Sequence, residues 1–204
     1  RRQRQMCIRD RDLSFGPEYD DFRSDVVNFL NNNSDKAPKG GDLRGEQAKD
    51  WQKLLIENGY TCRTIPKEYG GFGAEPDIIK SRIIGEEFSK SRVNPGLGGQ
   101  GISMLVPTLL EMGTEEQKQK FIRPTIHGDM IWCQGYSEPG AGSDLASLTT
   151  AAVLDGDEWV VNGQKIWTST AHLADWIFCL VRSEPEAPKH KGISFLLFEM
   201  TTPG

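Results

Sequence analysis

Two short stretches carry residue types suited to holding a ligand. The first, residues 132–144, reads WCQGYSEPGAGSD. Pro139, Gly140 and Gly142 forbid a regular helix or strand through its second half. What remains is a shaped loop whose backbone N–H groups and hydroxyls can point at a bound group. The second, Lys165–Thr170, reads KIWTST and repeats the aromatic-plus-hydroxyl theme. Taken singly, Trp167 is an ordinary core aromatic and Ser143-Asp144 an ordinary turn or cap. The expectation is that the two stretches together face one ligand.

Other chemistries find less support. His127, His172 and His190 are far apart, and Cys7, Cys62, Cys133 and Cys179 form no CxxC pair, so neither a metal site nor a disulfide framework is expected. The glycine-rich run Asn94–Gly101 lacks the GK[ST] of a phosphate loop. A net charge of −5 argues against a nucleic-acid surface. The longest apolar runs, Trp176–Val181 and Ile193–Phe198, fall far short of the ~20 residues of a membrane span. The 204 residues, 37% hydrophobic and 26% charged, read as an ordinary soluble protein of one or two domains, with a reducing cytoplasm the expected compartment.

The elements that must position the two stretches change period partway along the chain. Residues 1–11, RRQRQMCIRDR, are basic and aperiodic, and Met6–Arg11 matches a translated sequencing-adapter end. They read as a non-native or disordered tail, outside the fold. Helices are predicted from Pro17 to about Leu30, over 45–58 with Gly59 as its stop, over 76–91, over 102–112 around Pro107, and from a Thr114–Gln117 capping box to Ile126. Asn31–Gly41 reads as a polar linker. Beyond residue 130 the signals are strand-like: Met130–Tyr136, Leu148–Leu154, Trp159–Val161, Trp176–Arg182 and Ile193–Met200. Asp155–Glu158 and Asn162-Gly163 read as hairpin turns. The fold class expected is α+β, with an all-α domain over 12–130 and a small antiparallel barrel or sandwich over 131–204. A strand ending at the last residues leaves an open sheet edge, so the β domain reads as truncated.

The segments YSEPGAGSD (136–144), NGQKIWTST (162–170) and GTEEQKQKFIRP (113–124) resemble the acyl-CoA dehydrogenase family, over about residues 13–204. The resemblance implies a helical domain, a middle β domain and a C-terminal four-helix bundle. It implies bound FAD, an acyl-CoA thioester desaturated between Cα and Cβ in fatty acid oxidation, electron transfer flavoprotein as oxidant, and a homotetramer or homodimer. By position in the motifs, Gln134 would begin the segment lining the cofactor. Ser137 and the backbone around Tyr136 would serve the pyrimidine edge of the flavin. Trp167 would lie against the flavin, and Thr168 and Ser169 would supply donors, Ser169 toward N5. Gly140 and Gly142 would allow close backbone approach, and Ser143 would bond the phosphate-bearing part of FAD or the CoA moiety. Gly96–Met104 would help bottom the acyl pocket. Glu138 belongs to the binding loop and is rejected as the base. The family's glutamate base comes from the bundle, so no residue here is assigned that role, and the chain alone is expected to show little dehydrogenase activity. The competing expectations are an acyl-CoA oxidase or flavin monooxygenase relative, and a non-catalytic subunit of a hetero-oligomer.

Overall fold

Helix by helix, the N-terminal half follows its local signals. The computed structural model describes residues 16–40 and 44–204; the tail at 1–11 lies outside them. Helix α1 is Pro17–Asn33, with Pro at its first turn where a missing N–H is harmless. The expected linker therefore starts late, as one 3-10 turn at Ser34–Lys36. Helix α2, Glu46–Glu57, ends in a Schellman motif: Tyr60 N–H donates to the Leu55 carbonyl and Gly59 N–H to that of Ile56. Gly59 has φ +71°, which a side chain would resist. Helix α3 is Ile78–Ser91, opened by Asp77, whose carboxylate accepts from the N–H groups of Ile79 and Lys80. Ile78 is 85% exposed, so it leaves the apolar face expected of it.

Pro107 is accommodated by a change of helix type rather than a break. A π-helical turn, Gly101–Leu105, runs directly into α4, Val106–Met112. The Thr114–Gln117 capping box then opens α5, Glu115–Ile126, with both reciprocal bonds made.

The sheet corrects the antiparallel expectation. Its strands are β1 (Trp132–Gly135), β2 (Ala151–Asp155), β3 (Glu158–Asn162), β4 (Trp176–Arg182) and β5 (Ile193–Glu199). β2–β3 and β4–β5 are antiparallel, but β1 runs parallel to β4, and β2 touches β4 in parallel at Ala151↔Arg182. The sheet is mixed, five-stranded among the described residues. The first hairpin forms at Asp155–Glu158. The second does not: Gly163 lacks positive φ, and β3 ends at Asn162. A Cβ on Gly163 would collide with Thr150, so glycine is needed there for close passage and not for a turn.

Period two along β1 and β4 divides the sheet's faces. Trp132 and Phe178 join Leu105, Leu109, Phe121, Ile122 and Ile126 in the core between helices and sheet. Cys133, Ile177, Cys179 and Val181 pack on the other face with Ala152. A third core binds α1, α2 and α3 through Val26, Leu30, Trp51, Leu55, Ile83 and Phe88. At the seam, Phe121, Trp132, Trp176 and Phe178 form edge-to-face and tilted ring pairs 5.1–6.5 Å apart. The Trp132 indole N–H donates to Thr125 Oγ1 (2.8 Å), whose hydroxyl donates to the Phe121 carbonyl (2.6 Å). Position 132, where the first stretch begins, is thus fixed by the helices.

Candidate functional site

β1 delivers the chain from that seam into the 136–144 loop. Tyr136 sets its ring edge-on to Phe178, 5.7 Å between centroids. Glu138 and Ala141 then close a tight turn by exchanging backbone hydrogen bonds (2.9 and 3.0 Å). This turn gathers the loop around a buried carboxylate. Glu138 Oε2 accepts from Thr149 N–H (2.7 Å) and Thr149 Oγ1 (2.9 Å); Oε1 accepts from Thr150 N–H (2.8 Å) and from the Lys165 ammonium (2.8 Å).

The second stretch meets the first there. Lys165 Nζ donates to the Tyr136 carbonyl as well (3.1 Å), and Ile166 N–H donates to the Ser137 carbonyl (2.9 Å). Five residues on, Thr170 Oγ1 reaches the Trp132 carbonyl at 3.5 Å. The side chains of Lys165 and Glu138 are only 10% and 5% exposed. Burial pushes the Glu138 carboxyl upward, but the Lys165 ammonium and the threonine donors outweigh it and hold the group well below the usual carboxylate range. Glu138 is therefore a fixed anion, committed on both oxygens.

Between the two tethers the backbone turns outward. Trp167 has φ +59° and Thr170 φ +65°, both in the left-handed region. Such a conformation costs a non-glycine residue roughly 1–2 kcal/mol. Ser169 N–H donates to the Trp167 carbonyl (2.9 Å) across the turn. The Trp167 indole is 82% exposed. It is therefore a presented aromatic surface and not the core residue its type alone would suggest. Thr168 is half-buried and Ser169 exposed. None of the hydrogen bonds among the described residues uses the side-chain hydroxyls of Ser137, Thr168 or Ser169.

Other expected positions divide. Gln134 is half-buried, accepts from Gln100 Nε2 (3.1 Å) and approaches Met104 Sδ at 3.5 Å. Gly142 and Ser143 are exposed at the tip of the loop. Neither Gly140 nor Gly142 has a protein atom within 4 Å of a built Cβ, so no part of this chain demands glycine at either. Asp144, beside Ser143, is bound to Lys189 (2.5 Å) and to Ser147 Oγ (2.6 Å).

Two residues of consequence went unassigned from sequence. Lys165 was only a letter in a motif; its separation of 27 positions from Glu138 hid the pairing. Gln100 sits at the end of the glycine-rich run, and its Oε1 is buried without a partner. It lines a cavity with Leu97, Gly98, Ile102, Trp132 and Thr170, between the π turn and the second stretch. An amide inside NPGLGGQG is the signal that points to it. Gly101 lets the π turn close on the seam: a Cβ there would lie 2.8 Å from Trp132 Cδ1 and 3.0 Å from Thr125 Cγ2.

Comparison with known proteins matches this arrangement to one family. The model for the acyl-CoA dehydrogenase N-terminal domain matches residues 16–129, and that for the acyl-CoA dehydrogenase middle domain matches residues 133–204. The acyl-CoA dehydrogenase IpdE1 of Mycobacterium tuberculosis is 39% identical over 198 residues, covering 92% of this chain and 50% of the relative. The solved structure named Tcur3481-Tcur3483 steroid ACAD is 37% identical with a TM-score of 0.70, covering 93% of this chain and 49% of its own. The ChsE4-ChsE5 complex from Mycobacterium tuberculosis gives 33% identity and a TM-score of 0.71, covering 94% and 49%. The chain thus spans about half the length of the curated relatives it matches. With both of its successive regions matched and the SEPGAGSD and KIWTS segments brought together in space, the chain belongs to the acyl-CoA dehydrogenase family.

Proposed function

We propose that this chain supplies the flavin-facing half of an acyl-CoA dehydrogenase. The observation that carries the reading is the joining of Tyr136–Glu138 to Lys165–Ile166, beside an outward Trp167 and three uncommitted hydroxyls. The residues fit FAD. A planar ring system would cover the exposed indole, its acceptor edge suits hydroxyl donors, and the open backbone at Gly140 and Gly142 leaves room for close approach. Ser137 and the Tyr136 backbone would hold the pyrimidine edge, Thr168 and Ser169 the central ring, Gln134 the flank, and Ser143 a phosphate group of FAD or CoA. When bound, FAD supplies the acceptor for the hydride leaving the β carbon of the thioester. The chain's own residues orient the cofactor, present donors where negative charge develops on reduction, and keep water off the indole-covered face.

The substrate in this reading is an acyl-CoA thioester. A neighbour named as a steroid ACAD puts steroid-derived thioesters among those to test. The α-proton is assigned to no residue here, since Glu138 is locked to Lys165. Electron transfer flavoprotein is the oxidant, and assembly with further subunits belongs to the same reading, one neighbour being named as a two-protein complex. The test is titration with FAD, followed by the quenching of flavin fluorescence. Saturable binding that weakens by about tenfold when Ser137 and Ser169 are both changed to alanine supports the proposal. Absence of binding, or binding indifferent to both changes, overturns it.

A further inference from the structure

The Lys165–Glu138 pair ties three segments together, the 136–138 loop, Thr149–Thr150 and the chain before Trp167, and the proposed chemistry makes no use of its charge. Glu138 stitches its own loop to Thr149 and Thr150 at the approach to β2. Lys165 adds the Tyr136 carbonyl and the segment leading to Trp167. Gly163 passes so close over Thr150 that a Cβ there would collide with Thr150 Oγ1. Ile166 N–H is then held by the Ser137 carbonyl (2.9 Å). The path from Asn162 to Ile166 is thereby pinned on three sides, immediately before the left-handed Trp167. A left-handed, outward tryptophan persists only where its surroundings over-determine it. The pair supplies the one side-chain tether among these restraints, the Lys165 ammonium holding the Tyr136 carbonyl and Glu138 together.

We propose that Lys165 and Glu138 are positioning residues for the flavin: the buried pair sets the angle at which Trp167 and Ser169 are presented to it. The inference rests on the flavin reading above. The pair acts through the backbone of 165–170, not by touching the cofactor. Arg182 serves as a contrast in the same sheet. It donates to the Ala146 (2.6 Å) and Lys189 (2.8 Å) carbonyls, so it also braces loops, but none of its hydrogen bonds among the described residues reaches the 162–170 segment.

The experiment compares wild type, Lys165→Met, Glu138→Gln and the double variant in the whole protein. Three quantities are read: FAD affinity, the absorption spectrum and reduction potential of bound flavin, and the melting temperature of the cofactor-free protein. The expected result is a loss of at least about tenfold in FAD affinity for Lys165→Met, with an altered flavin spectrum and potential. The double variant should be no worse than the worse single one, because the two residues act as one unit. A fall in melting temperature with flavin affinity, spectrum and potential unchanged would overturn the proposal, since a purely structural brace gives that pattern. Should Lys165→Met fail to fold, Lys165→Arg carries the test: it keeps the charge, spreads it over a fork, and is expected to shift the flavin spectrum, an unshifted spectrum being contradictory. If wild type binds no FAD, the flavin reading itself fails. If wild type binds and the variants match it, only the positioning role fails.

Discussion

Trp132 and Trp167 belong to two neighbouring segments and do opposite things. Trp132 is 3% exposed, ringed by Phe121, Trp176 and Phe178, with its indole N–H satisfied by Thr125. Trp167 is 82% exposed on a left-handed backbone, with hydroxyl-bearing residues on its C-terminal side. The first pays for the fold through burial; the second spends backbone strain on presentation. The difference separates the stability of this chain from its proposed chemistry, residue by residue.

The largest expected effect lies at the seam. Trp132→Ala should cost about 3–5 kcal/mol of unfolding free energy, read from a denaturant midpoint. A loss under about 1 kcal/mol would mean that helices and sheet do not share one core. Gly101→Leu should follow at about 1–3 kcal/mol, because the new side chain meets Trp132 and Thr125, whereas Gly98→Leu, with no neighbour within 4 Å, should leave stability alone. Thr114→Ala removes the capping box and should cost about 1 kcal/mol. Equal losses at Gly98 and Gly101 would break the distinction between packed and open glycines.

Acid sharpens the comparison from the side of Glu138. Its carboxyl is held below its ordinary value of 4.5, so the folded state binds fewer protons than the unfolded one. The stabilisation it gives is full above pH 4.5 and is lost as pH falls toward the lowered folded value. Melting temperature should therefore drop more steeply with acidification in wild type than in Glu138→Gln, which cannot titrate. Parallel curves would contradict the buried pairing.

How much of this was legible from sequence depended on range. The capping box at Thr114–Gln117, the Gly59 stop and the Asp155–Glu158 hairpin are encoded within a few residues, and the structure has all three. The parallel pairing of β1 with β4 is not, because alternation of side chains says which face a strand buries and nothing of its neighbour. Asn162-Gly163 carried a turn signature, yet that glycine answers to Thr150, a crowding visible only in space. Ile78 fitted a helical stripe but lies at the first turn, beyond the packed surface. At the site, the two stretches stood out by residue type, and the structure joins them at Tyr136–Glu138 and Lys165–Ile166. The pairing of Lys165 was not legible, since its partner is set by the fold of two loops.

The most direct measurement is FAD affinity of Trp167→Ala beside its unfolding free energy. The expected stability change here is small, within about 0.5 kcal/mol, because an exposed side chain is removed. Flavin affinity should nevertheless fall by about tenfold, while Trp167→Phe keeps most of it. Unchanged affinity in Trp167→Ala at unchanged stability would contradict the assignment of 132–144 and 165–170 as one wall of a flavin site.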